Sequence, residues 1–176
     1  MNTEKLSKSV RNVPDFPIPG IQFKDVTTLF KDSEILKELS DGLCEMYKEK
    51  GVTKVVGIES RGFIMGPLLA EHLHAGFVPI RKPGKLPAET YEISYDKEYG
   101  KDAVQIHCDA LDENDVVLLH DDLLATGGTM VAAVELIKKF HPQKIYVNFL
   151  IELEELKGRA AFDPEIEVTS ILKYDR

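Results

Sequence analysis

Between Val116 and Thr129 the chain reads VVLLHDDLLATGGT, which sets two adjacent acids ahead of a short run of threonine and glycine. Glycines, lacking a Cβ, let backbone N–H groups crowd around an anion. The hydroxyls of Thr126 and Thr129 can donate to that anion, and the N-terminus of a following helix adds its dipole and its unpaired donors. Ala125, Thr126, Gly127, Gly128 and Thr129 therefore read as a phosphate cradle. Asp121 and Asp122 cannot favour a phosphate, so they should face the neutral, hydroxyl-rich part of the same ligand and accept hydrogen bonds from a ribose diol. The two halves together describe a pocket for a sugar 5-phosphate.

The elements around this stretch explain how it would be held. Val116, Val117, Leu118 and Leu119 form an uninterrupted aliphatic run, as expected of a parallel strand covered by helices on both faces. Each such side chain contributes roughly 1.5 to 3 kcal/mol on burial. The acids then fall where the strand should leave the sheet, the place where open α/β sheets bind ligands. The helical pattern Met130 to Phe140 follows the cradle. Upstream, Lys54 to Ile58 reads as a buried strand running into Glu59-Ser60-Arg61-Gly62-Phe63 and a helix over Ile64 to His74, a second candidate anion site. Phe77 to Ile80 is a third strand, followed by Arg81, Lys82 and Lys85. With Arg61 these make a basic cluster in an otherwise acidic chain, and a pyrophosphate is its natural tenant.

The order hydrophobic strand, two acids, then small residues with Thr and Gly resembles the phosphoribosyl pyrophosphate (PRPP) signature of the type I phosphoribosyltransferases. DDLLATGGT is similar to the form found in the adenine-using members of that family. The resemblance implies an α/β type I phosphoribosyltransferase fold, with a mostly parallel central sheet, helices on both faces and a flexible hood. It further implies transfer of the 5-phosphoribosyl group from PRPP to adenine, giving AMP and pyrophosphate, a purine-salvage reaction. FPIPGIQFKD is similar to the family's adenine-recognition segment, so Phe23 would stack on the purine while the main chains of Gln22 and Lys24 read its edge. One N–H and one C=O suit the ring acceptor and amino donor of adenine. By the same match Glu59, Ser60 and Arg61 form the pyrophosphate loop, in which relatives often carry a non-proline cis peptide. Glu98 and Tyr99 match a Glu-Tyr pair on the hood, with Glu98 as proton acceptor or shuttle. Arg61, Arg81 and Lys85 would neutralise the departing diphosphate. Magnesium would arrive with PRPP, held through its phosphates. Relatives are commonly homodimers, and a homodimer is expected here on that ground alone. His120 departs from the signature, where relatives usually carry an aliphatic residue; at a sheet position it reads as a core histidine.

Size and composition fit this reading. At 176 residues the chain suits a single domain spanning 1–176, with residues 1–30 as the purine-recognition segment and 82–102 as the hood. A net charge of -8 argues against nucleic-acid binding. The longest apolar runs are too short for a bilayer and Met1 to Val10 is polar, so no membrane association and a cytoplasmic protein are expected. Cys44 and Cys108 lack metal-ligand spacing and should be reduced thiols, and the remaining histidines form no zinc set. Helices are also expected over Thr3 to Asn12, over a stripe running from Ile35 to Tyr47 that includes Leu36 and Met46, and over Leu153 to Ala161. Further strands are expected over Lys144 to Ile151 and Val168 to Leu172. Two alternatives stay open: a phosphoribosyltransferase for hypoxanthine, guanine or xanthine, and a non-catalytic regulator that senses PRPP.

Overall fold

The structure, a computed structural model, describes residues 1–97 and 100–175. The chain opens with α1 (Thr3–Ser9), β1 (Arg11–Pro14), β2 (Gln22–Asp25), α2 (Thr27–Phe30) and α3 (Ser33–Tyr47). It continues through β3 (Lys54–Ile58), α4 (Gly62–His72), β4 (Gly76–Ile80), β5 (Thr90–Lys97) and β6 (Gly100–His107). β7 (Val116–Leu124), α5 (Gly128–Lys138) and β8 (Lys144–Leu153) follow, then two 3-10 turns (Glu154–Leu156 and Gly158–Ala161) and β9 (Glu167–Tyr174).

Five strands make one sheet in the order β4-β3-β7-β8-β9, and every neighbouring pair is parallel. This is the expected α/β architecture. Strand alternation sends Val56, Val117, Leu119 and Val147 to the face covered by α5, where Met130, Leu136 and Ile137 join them. Val55, Leu118 and Leu150 go to the opposite face, against Leu39 and Leu43 of α3 and Met65 and Leu69 of α4. α3 begins as its sequence dictates, with Asp32 accepting from the amides of Glu34 and Ile35. From β3 the chain first lays β4 to one side and later β7 to the other. The crevice at the carboxyl ends of β3 and β7 is therefore the switch point of the sheet.

Four local expectations are corrected. The first helix stops at Ser9, because Arg11–Pro14 pairs with Gln22–Asp25 in an antiparallel ribbon that the pattern of α1 does not announce. Met46 does not join the buried stripe of α3; it is exposed. Leu153 to Ala161 is two 3-10 turns, not a helix, because Lys157 between them stands at a φ of 52°, outside the right-handed helical region. β7 does not end before the acids. It stays paired to β8 as far as Leu124 opposite Glu152, while its ladder with β3 ends at Gly57 opposite His120. The acids thus leave one neighbour, not the whole sheet.

Candidate active site

Because β3 turns away after Ile58, the edge of β7 beyond His120 opens into the crevice. Asp121 lines three adjoining cavities there. One, about 110 Å³, runs from Asp121 along Ala125, Thr126, Gly127, Gly128 and Thr129. A second, about 210 Å³, is shared with Glu59, Arg81, Lys82, Tyr95 and Thr129. A third, about 290 Å³, is bounded by Glu59, Ser60, Arg61, Asp121 and Asp122. The sequence-predicted phosphate and ribose groups, and Glu59, Ser60, Arg61, Arg81 and Lys82 of the pyrophosphate group, are therefore brought together around one carboxyl group, whereas Lys85 lines none of the three cavities.

The cradle is built as its residue types require. Gly127 is the N-cap of α5 at a φ of 87°, a conformation open to glycine and strained for other residues. α5 begins at Gly128, two residues earlier than its hydrophobic pattern suggests, so the Gly128 and Thr129 amides belong to the helix's first turn. Thr126 is exposed toward solvent. The Thr129 hydroxyl donates to the Tyr95 hydroxyl at 3.0 Å, which ties the β5–β6 ribbon to the cradle.

Asp122 is buried and pairs with Arg61 Nε at 2.7 Å. Burial raises the carboxyl pKa of both acids. The charge of Asp122 adds to this at Asp121, whereas Arg61 pulls Asp122 back. The two carboxyls titrate as a pair raised above the usual carboxylate range, Asp121 the more strongly. The Arg61 guanidinium also lies 5.7 Å from the centroid of the Phe23 ring. Arg61 thus joins the ribose acids to the purine segment and stands apart from Arg81 and Lys85, which gather on Glu59.

Glu59 organises the basic loop. Its carboxylate accepts from Lys85 Nζ at 2.6 Å, the Lys82 amide at 2.8 Å and Arg81 Nε at 3.3 Å. Burial works against its charge, but Lys85, the Lys82 amide and Arg81 hold its carboxyl below the usual range. Lys82 Nζ pairs with Asp102 on β6. The Glu59–Ser60 peptide is cis, as the resemblance implied.

Phe23 is half-buried, packed edge to face on Phe16 at 5.1 Å, and is not a core aromatic. Gln22 and Lys24 point to the other side of β2, where both side chains bond to Asn12 at 2.6 and 3.0 Å. Glu98 and Tyr99 lie outside the described residues. Sequence reasoning missed Tyr95 and Asp102, which the hairpin register delivers to the site. The only available signal was the alternating pattern of the ribbon, which does not reveal which end of it meets α5.

A phosphoribosyl transferase domain profile matches residues 26–173. The chain is 74% identical over 174 residues to the adenine phosphoribosyltransferase of Bacteroides fragilis, covering 98% of each protein. Its fold matches the crystal structure of adenine phosphoribosyltransferase from Rhodothermus marinus with a TM-score of 0.92 at 48% identity, covering 98% of each chain. It matches the APRTase of Giardia lamblia, complexed with 9-deazaadenine, with a TM-score of 0.93 at 39% identity, covering 100% of this chain and 99% of that one.

Proposed function

The chain belongs to the phosphoribosyl transferase family, and from that premise we propose that it transfers the 5-phosphoribosyl group of PRPP to adenine, releasing pyrophosphate and forming AMP in purine salvage. The observation that carries this reading is the position of Asp121 at the meeting of three cavities lined by the threonine-glycine cradle, the basic loop and the paired acids. The 5-phosphate sits in Ala125, Thr126, Gly127, Gly128 and Thr129, the ribose hydroxyls meet Asp121 and Asp122, and the diphosphate extends toward Ser60, Arg81, Lys82 and Lys85. Glu59 holds Arg81 and Lys85 and acts on the diphosphate through them. Adenine stacks on Phe23, with Arg61 beside the ring and the main chains of Gln22 and Lys24 at its edge.

In the reaction the anomeric C–O bond breaks and its electron pair leaves with pyrophosphate, while a ring nitrogen of adenine bonds to the same carbon. Positive charge grows on the ribose ring beside Asp121 and Asp122, and negative charge grows on the leaving group beside Arg81 and Lys85. Glu98, on the hood with Tyr99, takes the proton that the purine loses. The β5–β6 ribbon excludes water, which would otherwise intercept the cationic sugar. Magnesium would arrive with PRPP, held through its phosphates. Magnesium so bound would neutralise diphosphate charge, and Glu59 and Asp121 are the acids that line the cavity shared with Arg81 and Lys82.

Among the described residues no helix is long and apolar enough to cross a membrane. We place the enzyme in the cytoplasm and read it as a homodimer by family likeness. Pyrophosphate release, measured with PRPP, Mg²⁺ and each purine in turn, tests the reading. Adenine should support turnover, with hypoxanthine, guanine and xanthine at least a hundredfold slower, since a site that hydrogen-bonds an amino group rejects a carbonyl. Equal rates with hypoxanthine would reassign the base, and no release with any purine would leave a PRPP sensor.

A further inference from the structure

The segment after β8 lies against the underside of the phosphate cradle. Gly158 is buried, and a Cβ placed on it would stand 2.1 Å from the Ala125 carbonyl oxygen and 2.9 Å from Leu124 Cδ1. From the other side, a Cβ on Gly127 would stand 2.8 Å from the Gly158 carbonyl oxygen and 3.4 Å from Ala161 Cβ. Two glycines therefore let two backbones touch, and the path of residues 125–128 is moulded on that of residues 158–161.

The neighbouring residue fixes this support to the sheet. Arg159 Nε donates to Glu152 Oε1 at 3.0 Å, and its Nη2 donates to Glu152 Oε2 and, at 3.0 Å, to Ser170 Oγ. Its Nη1 donates to the Val168 carbonyl at 2.5 Å. Glu152 is 4% exposed and lies in register with Leu124, the residue that leads into the cradle. One guanidinium thus ties the supporting turn to β8 and β9 at the level where β7 releases the cradle.

We propose that Arg159 is a positioning residue for the 5-phosphate site, acting through Gly158 on Ala125 and Gly127. The proposal rests on the phosphate reading of that cradle. Arg159 lines none of the three cavities around Asp121. It sets how closely the cradle amides can converge, and displacements of about 1 Å from such remote changes can cost as much as a hundredfold.

The test separates support from plain stability. Arg159→Met alone leaves Glu152 buried and unpaired, so it is measured beside the double variant Glu152→Met/Arg159→Met, whose apolar pair restores packing, and beside Gly158→Ala, which crowds Ala125 and leaves the ion pair intact. All three should raise the KM for PRPP about 10- to 100-fold, with the KM for adenine within about twofold and kcat within about threefold of the parent. Arg159→Lys should recover part of the loss. An unchanged KM for PRPP in the double variant, or a rise in both KM values together, would overturn the role. Thr126→Ala serves as the control for the reading beneath it, since losing a hydrogen bond to a charged group should weaken PRPP binding about 10- to 150-fold. If Thr126→Ala leaves PRPP affinity intact, the cradle assignment fails and this proposal with it; if it weakens PRPP while the Arg159 and Gly158 variants do not, the role of Arg159 alone fails.

Discussion

His120 stands one residue before Asp121 with none of its surface exposed. Its Nδ1 lies 2.9 Å from Asn148 Oδ1, an acceptor, so Nδ1 carries the proton, and Nε2 has no partner among the described residues. Asn148 passes the chain on to Thr169 at 3.0 Å, and Thr169 meets the Tyr47 hydroxyl at 2.5 Å. Burial lowers the His120 pKa to about 4, with the Asn148 bond opposing it. From about pH 6.5 down to about pH 4 the unfolded chain binds a proton at this residue that the native state refuses, so stability falls as pH falls. The slope is about 1.4 kcal/mol per pH unit, roughly 3 kcal/mol across the window, and above pH 6.5 it vanishes. His120→Leu should remove that component from denaturant unfolding curves measured between pH 7.5 and 4.5; an unchanged slope would mean that the imidazole charges in the folded protein. The core character of this histidine was legible from its place in an apolar strand. Its partner was not, because Asn148 sits on the next strand of the sheet and nothing local to either residue links them.

At the scale of elements, legibility follows the range of the forces. β3, β7, β8 and α5 were readable because fully buried parallel strands and a helix packed on them need long apolar runs. The β1–β2 ribbon that carries Phe23 has no such run, and it is held by specific polar contacts. Asp25 accepts from the Thr27 amide at 2.9 Å and hydroxyl at 2.6 Å, and from Arg11 Nε at 3.0 Å and Nη2 at 2.5 Å. The Thr27 hydroxyl, against some burial and with help from Arg11, brings the Asp25 carboxyl pKa down to about 2. A carboxyl depressed in the fold contributes stability that is complete above its unfolded value near 3.8 and is lost as pH falls toward 2. Asp25→Asn therefore forfeits the charge-dependent part of that contribution throughout the neutral range, on the order of 1 kcal/mol where solvent screens the pair. Because Phe23 is two residues away on the same short strand, the KM for adenine should rise several-fold while the KM for PRPP stays within about twofold. Steady-state kinetics with each substrate varied in turn would check this, and a matched change in both would dissociate the ribbon from the base.

For the whole molecule, the apparent paradox is an acidic protein, net charge -8, that binds a polyanion. The fold resolves it by place. Arg61, Arg81, Lys82 and Lys85 are drawn to one crevice at the switch of the sheet, and each is held there by a carboxylate, Asp122, Glu59 or Asp102. Cations and carboxylates thus come close to balance in the crevice, which is far less acidic than the molecule as a whole. These cations stand ordered before substrate arrives, and the groups we propose for PRPP come from β3, β7, α5 and the loop after β4, elements far apart in the chain. Binding should therefore be felt by the global unfolding transition. A ligand at a hundred times its Kd adds about 2.7 kcal/mol to the native state. For a domain of this size that is about 5 to 11 °C in Tm. PRPP with Mg²⁺, and AMP, should each produce that shift, whereas adenine alone, touching chiefly the β1–β2 ribbon, should produce much less. The PRPP shift should shrink as salt rises from about 50 to 500 mM, because the partly exposed charges proposed to hold the diphosphate are screened. A PRPP shift indifferent to salt would mean that its diphosphate lies away from Arg81, Lys82 and Lys85, and the electrostatic account of the crevice would have to be abandoned.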